Sequence, residues 1–339
     1  MAPIVAAPEP RARCARAGWM RGPGLAGLLA QSWVRWLTRS LTRLLTRSSV
    51  LSLALSLVLL LVISQLSGCA WLDTRQRELA LRPTPGRPVA FAPGSSAELA
   101  NFRPSDQRFT VPVGDGGRQA LAMWWLPQAD PNAPALLYLH GTLRNLYGNL
   151  PKINALRDAG FAVLAVDYRG WGESTALVPS EASITADAER AFTELQRLQP
   201  LAGRRVIYGH SMGGAAAVRL ASGLHGGSDY GALVLESTFT RLPDVAAEAG
   251  FWGGIAASVT SLEFDSLSRI GRINAPVWML HGTADTTVPV VLGRRLRDAA
   301  PAGVQWLEVP GGSHSRLHSD APDLYLKTFK NLIATLPTS

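Results

Sequence analysis

Two cysteines in 339 residues are too few for a disulfide scaffold. One of them, Cys14, stands in a leader that export would remove, leaving Cys69 alone and no intrachain disulfide available. Charged residues are sparse as well, at 17% of the chain against 47% hydrophobic, which excludes intrinsic disorder for the body of the protein. No internal repeat is present, so solenoids and propellers are excluded. Acids are nearly missing from one end: residues 1–68 hold eight arginines, no lysine and a single acid, Glu9. This leader carries +7 of the formal net charge of +8, and residues 69–339 are close to neutral at about +1. Nothing in the larger part therefore calls for nucleic acid.

Behind the arginines, residues 50–66 (VLSLALSLVLLLVISQL) run without a charge and end in small residues. A basic flank, an apolar core and small residues are the order of an export signal. Leu66-Ser67-Gly68-Cys69 resembles the lipobox of bacterial lipoproteins, which implies cleavage before Cys69 and lipidation of its thiol. The competing reading is an uncleaved anchor, because 17 residues at about 1.5 Å each reach roughly 25 Å, the low end of a membrane span. Both readings tether the chain and put its body outside the cytoplasm, with the arginines inside. Met20 is an alternative start that would shorten the leader.

Residues 70–106 are rich in Pro, Gly, Ser and Ala, so 69–106 is expected to be a lipidated N-terminus and flexible tether. Two alternating runs, Gln107–Val113 and Ala120–Leu126, flank GDGG and predict a hairpin. Six further strands are expected at 135–140, 161–167, 204–209, 232–237, 276–282 and 304–310, with helices at 181–198, 212–224, 290–300 and 322–336. Near-continuous apolar strands alternating with helices predict a mostly parallel α/β sheet covered on both faces, within a domain spanning 107–339. Residues 238–270 break the rhythm; their Gly, Ala and aromatic content, with Phe239, Phe251, Trp252 and Phe264, predicts a small cap insertion.

Gly209-His210-Ser211-Met212-Gly213 fits G-x-S-x-G between an apolar strand and an Ala-rich helix, the context that presents Ser211 as a nucleophile. A serine hydroxyl needs a base held in the right tautomer. His314, in PGGSH after the last strand, is the candidate, with His318 as its rival. Asp285, in HGTADTTVP, is the candidate acid, and Glu236 at the preceding strand end is the competitor. Asp167, Asp244 and Asp265 are read as turn and cap-docking residues. An oxyanion needs two N–H donors, and losing one typically costs about 10²–10³ in rate. Met212 supplies one candidate and Thr142, in the turn after 135–140, the other, with Leu143 second.

HGT, DYRGWGES, GHSMGG, ESTFT, FDSLSRI, HGTADTTVP and GGSH, in this order, resemble the α/β-hydrolase superfamily, and within it the monoacylglycerol-lipase and protein-depalmitoylase-like hydrolases. The resemblance covers about 108–336. It implies an eight-stranded sheet with a small cap, the order nucleophile, acid, histidine, and no cofactor. HGTLRN departs from the glycine-rich HGGG of many lipases. The expected activity is a membrane-tethered esterase or thioesterase acting on small-molecule or lipid-like esters with apolar acyl groups. An aminopeptidase of the same fold is the alternative, with Glu248 and Glu263 available to hold an ammonium, and a non-catalytic binding module is a further one.

Overall fold

In the computed structural model, which describes residues 32–33, 35–43, 52, 55–56, 70–248 and 261–337, eight apolar runs pair into one sheet. Strands β1 (Gln107–Val113) and β2 (Gln119–Leu126) form the antiparallel hairpin around GDGG. β2 pairs antiparallel with β4 (Ala162–Asp167). From β4 onward every pairing is parallel, through β3 (Ala135–Leu139), β5 (Arg205–His210), β6 (Ala232–Glu236), β7 (Val277–Gly282) and β8 (Gln305–Val309). The order is β1-β2-β4-β3-β5-β6-β7-β8. β3, β4, β5 and β6 are buried at every residue, because helices cover both faces and leave no position for a polar alternation.

Alternate side chains of these strands feed two cores. Leu137, Leu164, Ile207 and Leu233 pack with α4 (Glu181–Leu198), α5 (Met212–Ala221) and α7 (Val290–Asp298). Leu136, Val163, Tyr208 and Val234 pack with α3 (Leu146–Asp158) and α9 (Pro322–Thr335). Helix α4 starts where expected because Ser180 and Ser183 satisfy each other's backbone N–H groups in a capping box. Helix α3 is not expected from the sequence: Pro151 lies inside it, and it buries Asn149, Lys152 and Arg157 together with its apolar residues. A proline and buried polar groups remove the periodicity that announces a helix.

Met1–Cys69 and Ala70–Ser339 form separate compact units. In the first, residues 35–43 are helical, whereas Cys69 and most of 50–66 lie outside the described residues. No helix among the described residues is long and apolar enough to cross a membrane.

The stretch expected as a flexible tether is instead helical from residue 70 and enters the core at Leu81. Residues 70–81 form helix α1, ending on the buried Leu81. Asn145 Nδ2 donates to the Thr84 and Gly86 carbonyls, and helix α2 (Ser96–Asn101) is capped by Ser95. Phe91 and Phe102 meet the rings of Tyr147 and Trp124 at 5.0 and 4.9 Å. Composition registered a pliable backbone, but a few apolar side chains with aromatic partners suffice to dock it.

The cap insertion is described at both ends. Helix α6 (Leu242–Glu248) follows β6, and Leu267–Ile270 forms one helical turn before β7. Glu181 accepts the backbone N–H groups of Glu263 and Phe264, fixing the return path. Phe239 and Phe264 are core residues, while Phe251 and Trp252 lie outside the described residues.

Candidate active site

Ser211 sits between the last residue of β5 and the first of α5, at φ 56° and ψ −123°. A non-glycine residue holds such a conformation only when its surroundings impose it. Here the Ser211 N–H donates to the Glu236 carbonyl at 2.9 Å, and the Ser211 carbonyl accepts from Gly214 N–H and Thr238 Oγ1. Glycine is required nearby because strand, turn and helix nearly touch. A Cβ on Gly209 would collide with the Gly213 carbonyl, and one on Gly213 with the Leu139 and His140 carbonyls.

His314 reaches the same point from the turn after β8. Its Nε2 is 3.0 Å from Ser211 Oγ, and its Nδ1 is 2.7 Å from Asp285 Oδ2. With the proton on Nδ1, the ring donates to Asp285 and accepts the Ser211 hydroxyl hydrogen at Nε2. The turn is itself held: the Ser313 N–H and hydroxyl donate to Asp320, and His210 Nε2–H donates to the His314 carbonyl at 3.0 Å. Burial, followed by the positive charge of Lys152, holds His210 well below the usual imidazole range, so it acts as a neutral donor.

Asp285 follows β7. Burial alone would raise its carboxyl; hydrogen bonds from His281, His314 and the Val288 N–H outweigh that and hold it well below the usual carboxylate range. Its Oδ1 accepts the N–H groups of Thr287 and Val288, and its Oδ2 faces His314, with His281 Nε2 at 3.4 Å. Glu236 lies at the end of β6 with no exposed surface, and among the described residues no hydrogen bond joins its carboxylate to His314. It is paired with Lys152 Nζ and accepts from the Tyr208 hydroxyl at 2.6 Å and the Tyr325 hydroxyl at 3.0 Å. Its contact with the site is its backbone carbonyl alone.

Met212 opens α5, where the first N–H groups have no intrahelical acceptor. The loop leaving β3 runs beside the serine, since a Cβ on Gly141 would stand 3.0 Å from Ser211 Cβ. Among the described residues no acceptor takes the N–H of Met212, Thr142 or Leu143. Leu143 is held at φ 74° with half of its surface exposed.

The rival His318 stands on helix α8 (Leu317–Asp320), its ring against Tyr325. Asp244 accepts from Thr240 and Asp265 from the Ser268 N–H in local turns, whereas Asp167 ties the end of β4 to the start of α3 by accepting the Leu146 N–H and stands 3.4 Å from His140 Nε2. Sequence reasoning missed the positioning roles of His210, His281 and Asp320; their signal was only proximity in the chain to Ser211, Asp285 and His314. Among the described residues no cluster of His, Cys, Asp and Glu could hold a metal ion.

The family model described as serine aminopeptidase, S33, matches residues 131–268. An uncharacterised protein of Mycobacterium tuberculosis is 33% identical over 244 residues, covering 71% of this chain and 81% of that one. The lysophosphatidylserine lipase ABHD12 of Danio rerio is 34% identical over 210 residues, covering 56% of this chain and 54% of the lipase. The chain thus spans about half of that lipase. Among solved structures, the Pyrococcus furiosus esterase Pf2001 aligns with a TM-score of 0.59 at 17% identity, over 75% of this chain and 98% of the esterase.

Proposed function

The chain belongs to the α/β-hydrolase superfamily as a serine hydrolase, and from that premise we propose that it cleaves carboxylic ester or thioester bonds of lipid-like acyl substrates. The observation that carries this reading is the hydrogen-bonded line from Asp285 through His314 to Ser211. Ser211 Oγ adds to the acyl carbon while His314 Nε2 takes its proton. Asp285 keeps the Nδ1 proton in place and offsets the charge of the imidazolium. The N–H groups of Met212 and Thr142 donate to the oxyanion, with Leu143 the second candidate in that loop. Collapse sends the proton from His314 to the leaving oxygen or sulfur and leaves Ser211 acylated. Water then adds to the acyl carbon as His314 takes its proton, and collapse breaks the bond to Ser211 Oγ, returns the proton to that oxygen and releases the carboxylic acid.

An apolar acyl group is favoured by the exposed Leu143 in the loop whose Gly141 approaches the serine, by the expected tether to a membrane through Cys69, and by the likeness to a lipase. The match to the serine aminopeptidase model supports amide hydrolysis as a second reading. Of the two acids available to it, Glu248 stands 3.5 Å from Arg295, and Glu263 is fixed through its backbone N–H, which Glu181 accepts. The test is labelling of the purified protein with a fluorophosphonate probe, together with turnover of p-nitrophenyl esters of increasing chain length, thioesters and aminoacyl amides. Ser211 is expected to be labelled, with esters turned over faster than amides. No labelling and no ester turnover would refute the reading.

A further inference from the structure

A cavity of about 260 Å³ opens between α3 and the turn that follows His314. Its polar lining includes Arg144, Lys152, Ser315, Arg316 and His318, and no acidic side chain lines it. The carboxylates paired with lining residues, Glu236 with Lys152 and Asp320 with Arg316, are already engaged. Glu236 is held by Lys152, Tyr208 and Tyr325. Asp320 accepts two hydrogen bonds from Ser313 and stands 3.5 Å from one nitrogen of Arg316. Among the described residues no carboxylate pairs with Arg144, and His318 Nδ1 is a buried ring nitrogen with no partner. Donors from two separate segments therefore converge on a space that offers a ligand almost no acceptor of its own. Asn149 does not alter this balance: its amide is spent on the Arg144 and Asn145 carbonyls and the Tyr138 hydroxyl.

Position ties the cavity to the reaction. Arg144 lies two residues after Thr142, and Arg316 two residues after His314, so each guanidinium springs from backbone no more than about 7 Å from a site residue. At about 260 Å³ the space falls below the range of roughly 300–1,000 Å³ for whole small-molecule sites. It is too small and too polar for a long acyl chain, and suited to a compact anionic group.

We propose that the substrate carries a negatively charged headgroup of the phosphate or carboxylate class, and that Arg144 and Arg316 hold it in this cavity while the ester carbon lies at Ser211. The inference rests on the hydrolase reading above and narrows it: a cationic cavity repels the ammonium of an aminopeptidase substrate and attracts an anionic monoacyl ester. Arginine suits the task because its planar fork donates two parallel hydrogen bonds to an oxyanion.

The test compares kcat/KM of the full-length protein in nonionic detergent for 1-oleoylglycerol and for 1-oleoylglycerol 3-phosphate, which share an acyl chain and differ in the anion. The phosphorylated ester is expected to be preferred, with a preference that falls as salt is raised. Arg144→Gln and Arg316→Gln should each lower the ratio about tenfold, and Arg316→Glu further. Both arginines are exposed, so these variants fold, and fluorophosphonate labelling checks that the serine is intact. A ratio unchanged in the double variant, or a wild-type preference for the neutral ester, overturns the proposal while leaving the hydrolase reading in place. Loss of labelling and of turnover on both esters in the wild type refutes the hydrolase reading instead. Inorganic phosphate should compete with the phosphorylated ester only; if it alters turnover of the neutral ester while the ratio ignores both arginines, the cavity serves a free anion and the substrate proposal fails.

Discussion

Replacing Asp285 by asparagine separates the two candidate acids, because the hydrogen bonds around the carboxylate dictate how an amide would sit. Oδ1 accepts the Thr287 and Val288 N–H groups at 2.9 and 2.8 Å. In Asp285→Asn the amide oxygen must stay there, since turning the NH₂ group towards them would leave two buried donors unpaired at about 1–3 kcal/mol each. The NH₂ then faces His314 Nδ1, now 2.7 Å from Oδ2, and can be accepted only if that nitrogen carries no proton. The proton moves to Nε2, where it points at Ser211 and blocks proton abstraction. Such a wrong tautomer lowers kcat by about 10⁴ in a well-studied serine protease, equivalent to roughly 5 kcal/mol of barrier. A loss of about 10³–10⁴ in kcat with little change in KM is expected here. Glu236→Gln removes no contact to His314 and keeps the backbone carbonyl that holds Ser211 N–H, so kcat should stay within about tenfold. Steady-state hydrolysis of a p-nitrophenyl ester, with labelling rates and circular dichroism as controls, makes the comparison. If Asp285→Asn stays within tenfold of wild type and Glu236→Gln loses three orders of magnitude, the acid is Glu236.

Three further outcomes follow from the same contacts. The depressed Asp285 carboxyl contributes stability that is fully present above its unfolded value near 3.9 and lost as pH falls through its lower folded value. The stability gap between wild type and Asp285→Asn in urea melts should therefore hold from about pH 7 to 5, begin to narrow near pH 4 and shrink steadily as the pH falls further. Lys152→Met leaves Glu236 charged and buried without its cation and should cost about 3–5 kcal/mol, whereas Lys152→Met with Glu236→Gln should recover most of that loss in the same melts. Cys69→Ala should release the protein from membranes in a fractionation assay if the thiol is lipidated, and leave it bound if residues 50–66 span the bilayer.

The strands were legible because their burial is extreme. ALLYL, AVLAVD and ALVLE leave no exposed position, and a short apolar run between turn-formers has few other uses. Ser211 and His314 were legible for a related reason: the glycines beside the serine and the turn after the last strand are demanded by close approach, and close approach leaves a mark in sequence. Residues 82–106 left no such mark. Their docking rests on Phe91, Phe102 and an asparagine 59 and 61 positions from the carbonyls it holds, and no local pattern announces contacts at that separation.

Helix α3 links what the sequence withheld to what the site requires. Asp285 and Glu236 end neighbouring parallel strands, so strand order alone gives either acid a path to the histidine. What divides them comes from the opposite side: Lys152, nearly two turns into α3, takes the Glu236 carboxylate, and the tyrosines of β5 and α9 donate to it as well. A carboxylate so engaged cannot also turn a histidine, and Asp285 is left with His314. Pro151 hid the helix, and with the helix it hid Lys152. The residue that obscures the secondary structure thus stands next to the residue that engages Glu236, and the loop entering the same helix carries Arg144 to the cavity behind His314.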